Sequence, residues 1–146
     1  MKKPLFALTL MLASCVCFSQ DYKTNTEMGI PLSDDWVLVD DSDNTQTFVN
    51  KKTIQINGNT RSALAADNYR EYQEVNEGGK TIIYKSGEIK FVVLCRKKQI
   101  ALASGRLYSE NYMKGNLALS LEFSNEYGKI SSGSKSEAFY KYVCSQ

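Results

Sequence analysis

The sequence contains no histidine. That absence excludes Ser-His-Asp and Cys-His nucleophilic sites and the usual histidine-bearing zinc sites. An excess of charge of one sign is also lacking: 18 basic residues stand against 16 acidic ones, a formal net charge of +2. Such a balance gives no global attraction to nucleic acid or to anionic lipid. The basic clusters Lys51-Lys52 and Arg96-Lys97-Lys98 are short and fall at strand ends, where they read as solvated turns. No internal repeat or low-complexity segment is present. Beyond the first 18 residues no apolar run is long enough to span a bilayer.

What the first residues do contain is a leader. Met1-Lys2-Lys3 is a basic n-region, Pro4 to Phe18 is apolar or small throughout, and the first acidic residue is Asp21. This is the pattern of a secretory signal, with an apolar run too short for a membrane span. Two processing sites fit. Cys17-Phe18-Ser19 is a small-x-small site that makes 1–19 a signal peptide and Gln20 the new N-terminus. Leu12-Ala13-Ser14-Cys15 resembles a bacterial lipobox, which would make 1–14 a lipoprotein signal and Cys15 the lipidated first residue. The first cut removes both leader cysteines and leaves an even pair in the body, the simpler arithmetic, and is the one adopted here. It also removes Lys2 and Lys3, bringing the formal balance to neutrality. Membrane association then depends on lipidation at Cys15.

The remainder has the length of one domain. Residues 20–35 are polar, are broken by Gly29 and Pro31, and read as an irregular N-terminal arm. From Trp36 onward the pattern is β-type. Trp36–Val39, Thr47–Val49 and Thr53–Ile56 are short strands, with Asp40–Asn44 a turn cluster and Asn57-Gly58 a hairpin signal. That hairpin requires a returning strand, so Thr60–Tyr72 is read as strand although Ala63–Ala66 also suit helix. Glu74–Lys80 is read as a loop, Thr81–Tyr84 as a strand, and Lys85-Ser86-Gly87 as its interruption. Ile89–Cys95 is an apolar run expected to be buried on both faces. Ile100–Tyr108 returns as strand. Leu117, Leu119, Leu121 and Phe123 then alternate with a period of two, which predicts a half-buried antiparallel strand; Asn125–Gly133 is a loop.

The last stretch is different. Ser134 stands three residues before Glu137, the spacing of a capping box, and Ala138, Phe139, Tyr142 and Val143 follow at helical spacing, leaving Lys135 and Lys141 outside. A helix this short is stable only if that stripe docks on something. It ends on Cys144, and the other body cysteine, Cys95, ends the most strand-like segment. In an exported protein two body cysteines predict one bridge, here Cys95–Cys144. With no Cys-x-x-Cys and no histidine the pair reads as structural.

Other motifs carry no chemistry. Asp40-Asp41-Ser42-Asp43-Asn44 lacks the glycine and the closing glutamate of a calcium loop. Gly78-Gly79-Lys80-Thr81 ends like a phosphate loop, but the first glycine of that motif is missing and a strand follows. No catalytic, cofactor or metal site is expected, so the chain reads as a non-enzyme. Its nine tyrosines suit protein contact surfaces, although strands favour tyrosine for their own reasons.

From Tyr84-Lys85-Ser86 onward an ordered set of motifs stands out: a strand ending in Cys95, Tyr108-Ser109 with Gly115 after it, Ile130 before Gly133-Ser134, Glu137, and Val143-Cys144. Upstream, Trp36 is followed by Phe48-Val49-Asn50 and Thr53-Ile54. Together these resemble the surface-adhesin protein E family of Gram-negative bacteria, over residues 36–146. The resemblance implies an α+β fold, a roughly six-stranded antiparallel β-sheet with a short C-terminal α-helix tethered to one face by Cys95–Cys144. It also implies an envelope protein, periplasmic, secreted or held as an outer-membrane lipoprotein, that binds protein partners. Host extracellular-matrix proteins and plasminogen are the implied partner class, and a homodimer the implied assembly; no binding residues carry over. A soluble periplasmic inhibitor or immunity-type protein with a single partner is the alternative reading.

Overall fold

The computed structural model describes residues 32–146; the leader, Cys15 and most of the expected N-terminal arm lie outside the described residues. Eight strands form one antiparallel sheet. They are β1 (Trp36–Asp41), β2 (Thr45–Asn50), β3 (Gln55–Asn57), β4 (Thr60–Glu77), β5 (Lys80–Leu94), β6 (Gln99–Tyr108), β7 (Leu117–Glu122) and β8 (Gly128–Lys129), followed by helix α1 (Lys135–Cys144). The sheet order is β1-β2-β4-β5-β6-β7, with β3 paired to β4 and β8 to β6. The strand count therefore exceeds the expected six. The main path does have six strands, and the two additions are short: β3, three residues, overlaps the expected strand Thr53–Ile56, and β8, two residues, lies in a segment read as loop.

The largest departures concern β4 and β5. Glu74–Lys80 is not a loop: β4 runs through Glu77, and Gly78 and Gly79 alone turn the chain into β5, both with positive φ (56° and 77°). That is the backbone a two-residue hairpin turn demands, and glycine reaches it without steric cost. Nor do Lys85-Ser86-Gly87 interrupt a strand. β5 is continuous, and the irregularity lies in β4, where residues 69–72 bulge between the pairs Asn68↔Ser86 and Gln73↔Tyr84. Asp40 and Asp41 likewise belong to β1 rather than to the turn.

One face of the sheet carries the core. Val49, Ala63, Ala65, Phe91 and Val93 meet Phe139 and Val143 of the helix, and Phe139 stacks on Phe91 with ring centroids 4.8 Å apart. Ala63 lies opposite Phe91 in the β4–β5 register, and Ala65 opposite Ile89. Their small side chains leave room above β4 for the helix. Among the described residues one layer covers the sheet, and the expectation that Ile89–Cys95 is buried on both faces fails there: Phe91 and Val93 are fully buried, whereas Val92 and Leu94 are partly exposed. The structure joins Cys95 to Cys144, bonding the helix end to the end of β5.

The helix start is fixed by capping. The Ser134 hydroxyl accepts from the Glu137 N–H at 3.2 Å, and the Glu137 carboxylate accepts from the Gly133 N–H at 2.8 Å, one residue earlier than a strict capping box. The Gly133 bond, and then Lys141, hold the Glu137 carboxyl below its ordinary value. Its folded form thus releases its proton more readily than the unfolded chain does. The stabilisation is complete above the ordinary glutamate range and is lost as pH falls through the lowered folded value. Acid titration of the melting temperature should show this loss, and Glu137→Gln should flatten it. Ser134→Ala should cost about 1 kcal/mol at neutral pH, measured by urea unfolding. Lys135, expected to point outward, instead reaches the buried Asp67 carboxylate of β4 at 2.6 Å. Thr47 donates its hydroxyl to the same carboxylate at 2.7 Å.

Candidate protein-contact site

Beyond the β4 bulge, β4 and β5 continue as a two-stranded arm from Gln73 to Tyr84 that pairs with no other strand among the described residues. Its base is built from aromatic and charged contacts. Tyr69 meets Tyr84 edge to face at 5.7 Å, and the Tyr69 hydroxyl donates to Asp67. Burial, reinforced by the Asp67 charge, pushes the Tyr69 phenol well above its usual range and keeps it a neutral donor. Arg70 ties the bulge to the β1–β2 turn through the Asp41 carboxylate at 2.8 Å and the Ser42 carbonyl. Tyr72 takes the opposite course. It is 61 % exposed, with the Lys85 ammonium 4.7 Å from its ring centroid, a cation–π contact.

A loop between β6 and β7 completes the site. The Asn68 side chain accepts from the Asn111 amide and from the Tyr112 N–H, at 2.9 and 2.8 Å. Ser86 donates its hydroxyl to the Glu110 carbonyl and accepts from the Met113 N–H at 2.9 Å. These bonds hold Tyr112 and Met113 in the left-handed region, both at φ 59°, a backbone such residues adopt only where the surroundings impose it. Gly115 permits the closure: a Cβ there would lie 2.3 Å from the Ser109 hydroxyl oxygen. The result is a recess of about 310 Å³ between loop and arm, lined by Tyr72, Lys85, Glu110, Asn111, Tyr112 and Lys114. Burial raises the Tyr112 phenol above its ordinary value. Exposed Ile83 (53 %) adds apolar surface on the arm.

On the helix-free face lies a wider polar trough, with Glu88, Lys90, Ser104, Arg106, Ser120 and Glu122 along it. Arg106 stands 3.7 Å from Glu88, so part of its charge is already answered. Among the described residues no three Cys, Asp or Glu side chains converge as metal ligands would. The Asp40–Asn44 run, which superficially suggests calcium, gives Asp41 to Arg70.

Of the residues singled out from sequence, Cys95 and Cys144 come together and Cys15 lies outside the described residues. The tyrosines divide. Tyr140 and Tyr142 pack against the core and Tyr69 and Tyr84 brace the arm, whereas Tyr72 and Tyr127 are exposed. Sequence reasoning missed the arm itself. The available signal was Gly78-Gly79, two residues flanked by runs that pair as strands.

The described residues thus form an α+β fold, a single antiparallel sheet covered on one face by one disulfide-held helix, with an exposed aromatic ring on a braced hairpin. The chain belongs to the surface-adhesin protein E family, whose model matches residues 36–145. Its fold is similar to that of Haemophilus influenzae protein E. Crystal form II of that protein gives a TM-score of 0.58 at 11 % identity, covering 78 % of this chain and 90 % of that one. A further structure of Haemophilus influenzae protein E gives 0.56 at 11 % identity over 78 % and 86 %, and protein E from a non-typeable strain gives 0.53 at 11 % over 78 % of each chain. No curated protein sequence matches the chain.

Proposed function

We propose that this protein is a non-enzymatic, exported module of the cell envelope that binds a protein partner through the β4–β5 arm. The observation that carries the reading is Tyr72, a large exposed aromatic ring fixed over Lys85 beside a recess that its own backbone network holds open. Tyrosine in such a setting offers apolar area with a polar tip at little entropic cost, and it is over-represented among residues that dominate binding energy. Export rests on the leader at 1–19. Host extracellular-matrix proteins are the partner class that family membership favours, and surface display would follow from lipidation at Cys15.

Mass spectrometry of the mature N-terminus decides the location: a lipidated Cys15 supports display, and an unmodified Gln20 with periplasmic fractionation overturns it. Binding is tested with the immobilised mature chain, exposed separately to an extracellular-matrix protein preparation and to a periplasmic extract. Tyr72→Ala should weaken retention of the captured protein about 30-fold, the effect of losing a contact of about 2 kcal/mol. Unchanged retention would exclude the arm. Capture of one stoichiometric enzyme or toxin from the periplasmic extract would replace the adhesin reading by the inhibitor reading.

A further inference from the structure

The arm leaves strand edges open. Pairing of β2 with β4 stops at Thr45↔Tyr69 and pairing of β6 with β5 stops at Ser86↔Tyr108, so among the described residues each strand of the arm is bonded on one side only beyond those points. β6 ends there because the loop after it is drawn across to Asn68 and Ser86, which clears the position that β6 would occupy beside Lys80–Lys85. In a two-residue hairpin the flanking residues, here Glu77 and Lys80, exchange both backbone bonds. Thr81 and Ile83 consequently turn their N–H and C=O groups outward. We propose that this β5 edge, Lys80 to Lys85, receives an extended acidic segment of a partner protein as an added strand. The inference rests on the protein-binding reading above and specifies its mode.

The two edges of the arm are not equivalent. On the β4 side the bulge at residues 69–72 distorts the strand, and Arg70 is engaged across its base. Bulges of this kind are a common device against strand addition. The β5 side carries no bulge between Lys80 and Tyr84. Charge is sorted in the same sense: Glu71, Glu74 and Glu77 lie on β4, Lys80 and Lys85 on β5. Lys114 lines the recess with Lys85; Glu110 is the one acidic residue there. Among the described residues none of Lys80, Lys85 and Lys114 is paired with a carboxylate, while five other basic side chains are. A second copy of this chain adding antiparallel at the same edge would bring Lys80 and Lys85 of both copies together, a crowding of like charge that disfavours it. Lys80 and Lys85 lie five residues apart and so on opposite faces of β5, Lys85 on the face of Ile83. A six-residue partner strand with a carboxylate at each end, one on either face, and apolar residues at every second position on the face of Ile83 matches this edge.

The test uses the mature chain labelled with ¹⁵N and two synthetic peptides at millimolar concentration, acetyl-Glu-Thr-Val-Thr-Val-Glu-amide and the same peptide with lysine for both glutamates. The acidic peptide should slow amide exchange at Thr81 and Ile83 at least tenfold, and the lysine peptide should not. Lys80→Glu combined with Lys85→Glu should reverse that preference without touching the backbone. Ile83→Pro, which removes an outward N–H and leaves the β4 ladder intact, should abolish the protection. Equal protection by both peptides would overturn the acidic specificity, and no protection by either would overturn strand addition. If Ile83→Pro keeps capture of the natural partner while Tyr72→Ala loses it, strand addition falls and the arm as contact surface stands. Loss with neither overturns both.

Discussion

Cys144→Ser should lower the melting temperature of this domain by roughly 15–20 °C under oxidising conditions. The bridge to Cys95 closes a loop with a sequence separation of 49. In chain-entropy terms such a closure restricts the unfolded ensemble by about 4 kcal/mol. Each kcal/mol shifts the midpoint by about 4–5 °C in a domain of this size. The bridge adds to the packing of buried Val143 at the far end of a ten-residue helix whose capping bonds lie at the other end, at Ser134, ten residues before the cysteine, and Glu137, seven before it. The wild-type protein in excess dithiothreitol should melt with the variant. Coincident melting of oxidised wild type and variant would show that the bridge contributes nothing to stability.

Phe91→Ala should destabilise the domain by about 3–5 kcal/mol, the cost of deleting a fully buried aromatic ring whose surroundings collapse incompletely. Phe91 joins three elements: it lies opposite Ala63 of β4 and Leu102 of β6, and it is the ring on which Phe139 stacks. Neither alanine nor the stapled helix can move to fill the void. Urea unfolding followed by tryptophan fluorescence, with Trp36 as the single reporter, measures the loss. A change below about 1 kcal/mol would mean that the stack is dispensable. The double variant with Cys144→Ser should lose less than the two single losses together, since a helix already released no longer depends fully on the ring beneath it.

The parts of this fold readable from the sequence were those governed by one local rule. Two body cysteines in an exported chain predict their own pairing, and Ser134 with Glu137 predicts where a helix begins. Leu119 and Leu121 declare their strand by alternation, and β7 carries them at Leu117–Glu122. The arm obeyed no such rule. Glu74, Asn76 and Glu77 have poor β propensity, and they are strand because Ile83, Thr81 and Lys80 lie across from them, with the Thr81 hydroxyl donating to Asn76 at 3.0 Å. Lys85-Ser86-Gly87 look like a break, yet Ser86 and Gly87 are buried because a loop more than twenty residues onward bonds back to Ser86. Lys135 appeared solvent-facing at helical spacing; Asp67, distant in sequence, captured it. The contact surface inherits this difficulty. Whether a tyrosine is covered or exposed depends on which neighbours fold over it, so Tyr69 and Tyr72 are alike in sequence and opposite in exposure.

The order of elements along the chain has a consequence for biogenesis. Every strand precedes α1, the one element that covers the core face of the sheet. As the polypeptide emerges in the N-to-C direction, the sheet can pair while Val49, Phe91 and Val93 are still uncovered, and Cys95 waits as a free thiol until Cys144 arrives. For that interval the nascent domain is a half-finished surface, open to wrong partners and to mixed disulfides. The Cys95–Cys144 bridge can close only once the last helix has emerged, so it belongs to the end of assembly and is exposed to the compartment's thiol chemistry.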